Sequence, residues 1–244
     1  NLTEERAQAW RVDLRSAIKA KQRTDLPRVH MPELDAEYRS HTRLEEVNLG
    51  LTPEMAMAEA KRCLDCANPT CMEGCPVGIY IPKFVKQIEI GDFSGAAKTL
   101  KQTSALPAVC GRVCPQEKQC EAQCIHTKMK KDAVAIGNLE RFAADYERES
   151  GNISIPDVAE PNGLKIAVVG SGPAGLSFAG DMAKLGYDVT VYEALHEIGG
   201  VLKYGIPEFR LPNAIVDVEI ENLRAMGVKF FDNCVVGPVS YTHL

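Results

Sequence analysis

The sequence predicts two domains of different class, an all-helical domain followed by an α/β domain. Residues 1–150 have helical periodicity and hold two runs of closely spaced cysteines. Residues 164–238 instead alternate short apolar runs with helical spacing and contain a glycine-rich turn. Between them, residues 151–163 (GNISIPDVAEPNG) are rich in turn-forming residues and lack any helical period, so we interpret them as a linker.

Start and stop signals locate the helices of the first domain. Thr52 can cap a helix and Pro53 suits its first position, while Gly151 follows the last periodic residue, as a helix C-cap does. The expected helices cover 4–21 and 52–64, begin near Pro82, near Ser94 and after Pro115, and end with 136–149.

Apolar β-branched runs predict three parallel strands in the second domain, at 165–169, 188–192 and 228–231. Helical spacing predicts the two connecting helices, at 173–185 and 213–226. Strand, helix and strand in this order form a βαβ unit, from which parallel sheets are built.

The composition is that of an ordinary globular protein, with 45% hydrophobic residues, 25% charged residues and a net charge of −5. No apolar run approaches the ~20 residues of a membrane-spanning helix, and no charged-then-apolar leader opens the chain. Basic residues form no one-sided stripe and the chain has one Trp, which argues against nucleic-acid binding. We therefore expect a cytoplasmic protein that binds neither nucleic acid nor membranes.

Eight of the nine cysteines fall into two short runs, which needs a chemical explanation. The first run is Cys63, Cys66, Cys71 and Cys75, and the second is Cys110, Cys114, Cys120 and Cys124. Buried structural thiols do not gather in this way, and disulfides are uncommon in a reducing compartment. The two runs therefore predict metal ligands.

Zinc and iron-sulfur clusters are the two kinds of centre that such thiols can form. Cys63-x2-Cys66 is half of a common zinc site, but zinc sites repeat a close pair and the second run has none. The first run is more similar to the ferredoxin pattern, in which a final Cys-Pro reaches a second cluster, as Cys75-Pro76 would here. Two iron-sulfur clusters are the favoured interpretation, and zinc is the alternative.

A G-x-G-x-x-G sequence follows the first predicted strand and opens the next helix. Gly170, Gly172 and Gly175 allow a tight turn and close approach of a pyrophosphate, which the helix N-terminus also favours. Glu193 closes the second strand, where a carboxylate can bind a ribose 2′-hydroxyl and would repel the 2′-phosphate of NADP. A second glycine pair, ending at Gly200, favours a larger dinucleotide.

In combination, the motifs resemble those of one family of oxidoreductases. In chain order they are CLDCANPTCMEGCPVGIYIP, AVCGRVCPQEKQCEAQC, AIGNLERFAADY, VVGSGPAGL and GGVLKYGIPEFRLP. This order resembles the small (beta) subunit of NADPH-dependent glutamate synthase and, equally, the large subunit of NADH-dependent ferredoxin:NADP oxidoreductase. The cysteine-rich part also resembles the N-terminal region of dihydropyrimidine dehydrogenase. The resemblance implies a helical domain with two 4Fe-4S clusters, followed by a truncated Rossmann-like FAD-binding domain.

The resemblance also implies a set of cluster ligands. One cluster would be held by Cys63, Cys66, Cys71 and Cys124. The other would be held by Cys75, Cys114, Cys120 and, from the helix after the second run, Glu140. Cys110 would then lie beside this cluster. In the alternative, Cys110 is the eighth ligand and Glu140 is a solvated helix residue.

The same resemblance implies FAD contacts along the α/β domain. They come from Gly170, Gly172, Pro173, Ala174, Gly175, Glu193, Gly200, Leu202, Gly205, Ile206, Arg210 and Val236. Arg210 would place a positive charge near the pyrophosphate or the flavin, and Val236 would contact the adenine through its backbone.

By resemblance, the complete protein passes electrons from NADPH through FAD and the clusters to a partner subunit. That partner is a glutamate synthase large subunit or, for the bifurcating oxidoreductase, a ferredoxin-reductase-like subunit. In the family the NADPH domain follows the region present here, so we expect the fragment alone to be inactive. A zinc-stabilised redox-sensing interaction module is the alternative of another class. Residues 239–244 do not continue the family pattern, and we interpret them as a non-native tail.

Overall fold

The structure is a computed structural model that describes residues 2–237. The chain divides into two compact units. The first comprises the residues up to His41 together with Val47–Ser154, and the second comprises Thr42–Glu46 together with the residues from Ile155 onward. The domain boundaries predicted at 150, 163 and 238 stay predictions. The predicted tail, 239–244, lies outside the described residues.

The first unit is helical, as predicted. Its α-helices are α1 (Leu2–Arg6), α2 (Ala9–Ala17), α3 (Ala20–Asp25), α4 (Ala36–Ser40), α5 (Pro53–Ala60), α6 (Thr70–Glu73), α7 (Ile81–Glu89), α8 (Phe93–Lys101), α9 (Pro107–Val113), α10 (Ile125–Lys128) and α11 (Ile136–Ser150). The predicted caps are confirmed: the Thr52 hydroxyl accepts a hydrogen bond from the amide of Met55, and Gly151 follows α11 with a φ of 70°. After Pro115 only a 3₁₀ turn forms, at Gln116–Lys118.

The prediction of a single helix over 4–21 is wrong, because three short helices, α1 to α3, occupy this region. Arginine side chains bind the carbonyl groups where these helices end. Arg15 Nη2 donates to the carbonyl of Arg6 at 3.0 Å, and Arg23 Nη2 donates to that of Leu14 at 2.6 Å. Carbonyls at a helix end need such substitutes for the missing amides. The arginines thus allow the chain to turn where the spacing predicted continuity.

The helix predicted over 52–64 ends four residues early, at Ala60. The following carbonyl groups are bound by side chains from elsewhere in the unit. Arg23 Nη1 donates to the carbonyl of Lys61 at 2.6 Å, and Lys86 Nζ donates to that of Cys63 at 2.6 Å. The chain therefore leaves the helix and forms an irregular loop at the first cysteines.

The core of the first unit lies between α5, α7, α8 and α11, with Phe84, Leu100 and Leu139 fully buried. Helices α9 and α11 pack closely at Gly111. A Cβ atom added there would lie 2.5 Å from the backbone nitrogen of Arg141. A glycine is therefore needed for the two helix backbones to pack together.

The second unit contains the predicted βαβ unit. Its elements are β1 (Lys165–Val169), α12 (Pro173–Lys184), β2 (Asp188–Tyr192), α13 (Val201–Tyr204), α14 (Asn213–Ala225) and β3 (Lys229–Phe231). The strands are parallel, as predicted, in the order β1-β2-β3, and Val169 pairs with Tyr192, which pairs with Phe231. All three strands therefore end at one edge of the sheet, from which the glycine-rich turn leads into α12.

In the part of the chain from residue 2 to residue 237, no helix is long and apolar enough to cross a membrane.

Substituting Gly111 tests the packing of α9 on α11. Helix propensity alone would make Gly111→Ala stabilising, but the added methyl group collides with the backbone of α11. We expect overpacking to lower the free energy of unfolding by about 3 kcal/mol. The measurement is chemical unfolding of the two proteins, followed by circular dichroism.

Gly151→Ala is the matched control. A Cβ at Gly151 meets no atom within 4 Å, so only the left-handed backbone opposes it, at about 1 kcal/mol. A Gly111→Ala protein as stable as the parent, or more stable, would contradict the close packing of these helices.

Candidate functional site

Four of the predicted cluster ligands border one cavity in the first unit. Cys63, Cys66 and Cys71 reach it from the first run, and Cys124 reaches it from the second run. Most of the other lining side chains are apolar, among them Ile81, Pro82, Val85, Val134 and Ile136. The structure thus brings together, from two distant runs, the four thiols that the resemblance assigned to one cluster.

The thiols at this cavity are close enough to influence one another electrostatically. Burial raises the pKa of Cys63 to about 11, although the ammonium group of Lys86 opposes the shift. Burial also raises the pKa of Cys71, and the charges of Cys63 and Cys124 raise it further. Thiolates are stable in such a place only where a positively charged centre compensates them, and a metal core does this directly.

Basic side chains line the polypeptide that holds the first two of these cysteines. Arg23 and Lys86 donate to the carbonyl groups of Lys61 and Cys63. Arg6 Nε donates to the carbonyl of Asp65 at 2.7 Å. The imidazole Nε2 of His126 lies 3.1 Å from the carbonyl of Arg62. Four carbonyl groups of this short loop are therefore fixed by cationic or imidazole side chains.

The remaining predicted ligands form a second group in the same unit. Burial raises the pKa of Cys114 to about 11, and the charges of Glu140 and Cys75 raise it further. Burial also raises the pKa of Cys120, with contributions from Glu121, Glu140 and Cys75. Glu140 itself is a buried residue of α11. The carboxylate is thus placed among the second group of thiols and is not a solvated helix residue.

Cys110 lies on α9, one helical turn before Cys114. Its carbonyl accepts hydrogen bonds from the amide of Cys114 at 3.1 Å and from Nε2 of Gln116 at 2.8 Å. The thiol of Cys114 contacts Oε1 of Gln119 at 3.1 Å. The assignment of Glu140 as ligand, with Cys110 beside the cluster, stays a prediction.

The donor set of both groups fits an iron-sulfur cluster. Among residues 2–237, no three His, Cys, Asp or Glu side chains converge on the position of a single metal ion. The first four thiols border a cavity instead. Soft thiolates arranged around a space are what a compact inorganic core with several irons requires.

The glycine-rich turn has the geometry of a dinucleotide cradle. Gly170 has a φ of 96°, in the left-handed region, and a Cβ at Gly175 would lie 2.1 Å from the carbonyl oxygen of Gly170. A Cβ at Gly172 would meet no atom within 4 Å. Gly170 and Gly175 therefore shape the turn, whereas Gly172 leaves open space before the N-terminus of α12, where a pyrophosphate can bind.

Glu193 and Ser171 join this turn to the second glycine pair. The backbone amide and the hydroxyl of Ser171 donate to Oε2 of Glu193 at 2.8 and 2.6 Å. The amide of Gly199 donates to the hydroxyl oxygen of Ser171 at 2.9 Å, and the amide of Leu195 donates to Oε1 of Glu193 at 2.9 Å. The sequence predicted Glu193 as a ribose ligand but did not identify Ser171.

The hydrogen bonds at Glu193 favour its ionised form. Burial acts to raise the pKa of this carboxyl, but hydrogen bonds from Ser171 and from the amides of Leu195 and Ala194 outweigh burial and lower it. An ionised carboxylate has about four acceptor positions. Ser171 with two donors and the amides of Leu195 and Ala194 already occupy these positions, so the role of Glu193 as a ribose ligand stays a prediction.

The other predicted FAD contacts occupy several parts of the second unit. Pro173 and Ala174 form the first turn of α12. A Cβ at Gly200 would lie 2.8 Å from Cα of Gly172, so the two glycine segments meet. Leu202 is buried in α13, Gly205 and Ile206 follow this helix, and Arg210 is exposed. Val236, after β3, is 50% exposed.

Two family models match the chain, one in each unit. Residues 39–152 match the model described as dihydropyrimidine dehydrogenase domain II, 4Fe-4S cluster. Residues 168–229 match an NAD(P)-binding Rossmann-like domain. The fold class predicted from the sequence, a helical iron-sulfur domain followed by a Rossmann-like domain with a parallel sheet, is thereby confirmed.

Named relatives place these domains among oxidoreductase subunits. The chain is 41% identical over 194 residues to the NAD-dependent dihydropyrimidine dehydrogenase subunit PreT of Salmonella typhimurium, covering 80% of this chain and 46% of the relative. It is 38% identical over 213 residues to the glutamate synthase (NADPH) small chain of Escherichia coli, covering 87% of this chain and 45% of the relative. The predicted resemblance is confirmed. The chain spans less than half the length of these relatives.

Substitutions at Gly172 and Gly175 distinguish the space that would bind a dinucleotide from the close packing that shapes the turn. Gly172 has a φ of −64° and open space around it, so Gly172→Ala should unfold within about 0.5 kcal/mol of the parent protein. Its methyl group would occupy the space for a pyrophosphate, and we expect dinucleotide affinity to fall at least tenfold, by about 1.4 kcal/mol. FAD and NADPH are titrated separately, by fluorescence.

Gly175→Ala is the comparison, since its methyl group collides with the backbone of Gly170. This protein should lose stability even without a dinucleotide. If Gly172→Ala binds both dinucleotides as the parent does, the open space at Gly172 is not the binding site.

Proposed function

We propose that this chain is the first part of an electron-transfer oxidoreductase subunit of glutamate synthase type. The complete subunit passes electrons from NADPH through FAD and two 4Fe-4S clusters to a partner, the glutamate synthase large subunit. The cytoplasmic location expected from the sequence stays a prediction.

The observation that supports this proposal most directly is the division of the ligands into two groups. Cys63, Cys66, Cys71 and Cys124 border one cavity, while Cys75 and Glu140 are close enough to Cys114 and Cys120 to raise the pKa of both thiols. Each group contains four donors, which is the number that a cubane cluster requires. The match to a 4Fe-4S domain model favours iron over zinc at these thiols.

In the first unit, the protein's own residues hold and bury the clusters. The apolar side chains of Ile81, Val85 and Ile136 keep water from the first cavity, and such burial is one determinant of cluster potential. The Cys63 carbonyl is held by Lys86, which fixes the backbone beside a ligand. When bound, the clusters supply one-electron transfer.

In the second unit, the protein's residues orient the dinucleotide. The amides in the first turn of α12 would face the pyrophosphate, while Ser171 holds Glu193 and the second glycine pair in register with the first. FAD is favoured because the two glycine segments meet and extend the cradle. These residues would hold FAD, which would supply the exchange between hydride transfer and single-electron transfer.

A second candidate is a subunit of a dihydropyrimidine dehydrogenase. The specific observation in its favour is the 41% identity to the PreT subunit of Salmonella typhimurium. Both candidates use the same chemistry within this chain and differ in the partner that receives or supplies the electrons. The large subunit of a bifurcating ferredoxin:NADP oxidoreductase is a further member of the same class.

Iron analysis tests the clusters and the ligand assignment. Protein purified without oxygen should hold about eight irons per chain, as two cubane clusters require. Glu140→Ala should lower this to about four and remove one EPR signal, since it breaks one ligand set. Cys110→Ser should leave both iron content and signals unchanged. If instead Cys110→Ser lowers the iron content and Glu140→Ala does not, Cys110 is the ligand. A colourless protein that holds zinc would exclude electron transfer.

Reconstitution of the full-length subunit tests the partner. Together with a glutamate synthase large subunit, NADPH oxidation should depend on both glutamine and 2-oxoglutarate. Oxidation that instead depends on a pyrimidine with a dehydrogenase partner would select the second candidate. Oxidation coupled to ferredoxin through a ferredoxin-reductase-like subunit would select the bifurcating enzyme.

A further inference from the structure

The loop between Cys63 and Cys66 contains an aspartate in an unusual environment. Asp65 is fully buried and has a φ of 51°, in the left-handed region that few non-glycine residues adopt. A buried carboxylate without compensation is strongly unfavourable. The structure must therefore contain positive groups that stabilise both the charge and the backbone of this residue.

Three arginines from α1 and α2 provide this compensation, and we call Arg6, Arg11 and Arg15 the arginine clasp. Arg11 and Arg15 both form ion pairs with the Asp65 carboxylate, Arg11 through both oxygens and Arg15 through Oδ2. Arg6 binds the backbone of the same residue, with Nε 2.7 Å from its carbonyl oxygen. The clasp thus holds Asp65 by its side chain and its backbone together.

The clasp is itself well anchored. Nη1 of Arg11 donates to the hydroxyl of Tyr80 at 3.1 Å, and Nη2 of Arg15 donates to the carbonyl of Arg6 at 3.0 Å. Arg11 is fully buried, whereas the side chain of Arg15 retains 20% of its exposure. All three arginines precede residue 39, where the match to the 4Fe-4S domain model begins.

The charges of the clasp do not cancel. Two guanidinium groups, of Arg11 and Arg15, face one carboxylate, so at least one positive charge remains beside the loop. Lys86 and Arg23 similarly share the single carboxylate of Glu89 next to the carbonyl of Cys63. In a poorly solvated site, these charges are weakly screened and act strongly on a neighbouring charged centre.

We propose that the arginine clasp positions the Cys63–Cys66 loop and raises the reduction potential of the cluster at the first cavity. Reduction adds one negative charge to a cluster, and net positive charge nearby stabilises the reduced form. The clasp residues are positioning residues, since they act through Asp65 and the loop. This inference rests on the proposed cluster at Cys63, Cys66, Cys71 and Cys124.

Arg15 is the residue at which to test the clasp, because Asp65 keeps Arg11 as its partner when Arg15 is changed. Arg15→Gln should retain the iron content of the parent protein and shift one of the two midpoint potentials to a lower value. Arg15→Lys keeps the charge and should leave that potential near its original value. The potentials are measured by redox titration of the holoprotein, followed by EPR.

A charge-compensating variant separates electrostatics from loss of structure. Asp65→Asn removes one negative charge while keeping a side chain that tolerates the left-handed backbone, so its first-cluster potential should rise. Combining Arg15→Gln with Asp65→Asn restores the net charge and should return the potential toward that of the parent. A merely structural role would make the double variant at least as perturbed as the single variants.

Arg39→Gln serves as the matched control, because it removes a positive charge from an exposed ion pair with Glu33 in the same unit. It should shift neither potential, since exposed charges are screened by solvent. The proposal is overturned if Arg15→Gln leaves both potentials unchanged, or moves both equally. A parent protein without iron would instead refute the proposed cluster, which is a distinguishable result.

Discussion

The first unit is organised around the need to bury many negatively charged groups together. Eight candidate ligands, seven thiols and a carboxylate, come from two distant runs and α11. Without a metal core their mutual repulsion and burial keep the thiols protonated, as the raised pKa values of Cys63 and Cys114 indicate. When these thiols ionise as ligands, cationic groups from the cluster and from the protein must balance their charge.

This constraint explains why the helices near the first cavity are short and interrupted. Arg23 and Lys86 bind carbonyl groups at the end of α5, and Arg6 binds that of Asp65. Each of these contacts gives a backbone carbonyl beyond the helix a charged donor, and such a hydrogen bond contributes about 1.5–3 kcal/mol. In the second unit the charges are reversed, because backbone amides and Ser171 donate to the anionic Glu193.

Sequence reasoning succeeded where local pattern and structure coincide. The strands 165–169 and 188–192, the cap at Gly151 and the cysteine runs were all visible in short windows. It failed over 4–21, because a continuous helical period gave no sign that Arg15 and Arg23 would bind helix-end carbonyls. The four-residue spacing of Arg11 and Arg15 did place both on one helix face. Their partner, Asp65, lies 50 or more residues away and only the folded chain reveals it.

The two groups of ligands have different charged neighbours. At the first, Lys86 favours ionisation of Cys63 and Asp65 opposes it. At the second, the carboxylates of Glu140 and Glu121 oppose ionisation of Cys120. Cluster potentials depend on net charge as well as on ligand type. One chain can thus build two clusters that differ in their affinity for an electron, and this difference gives a transfer path its direction.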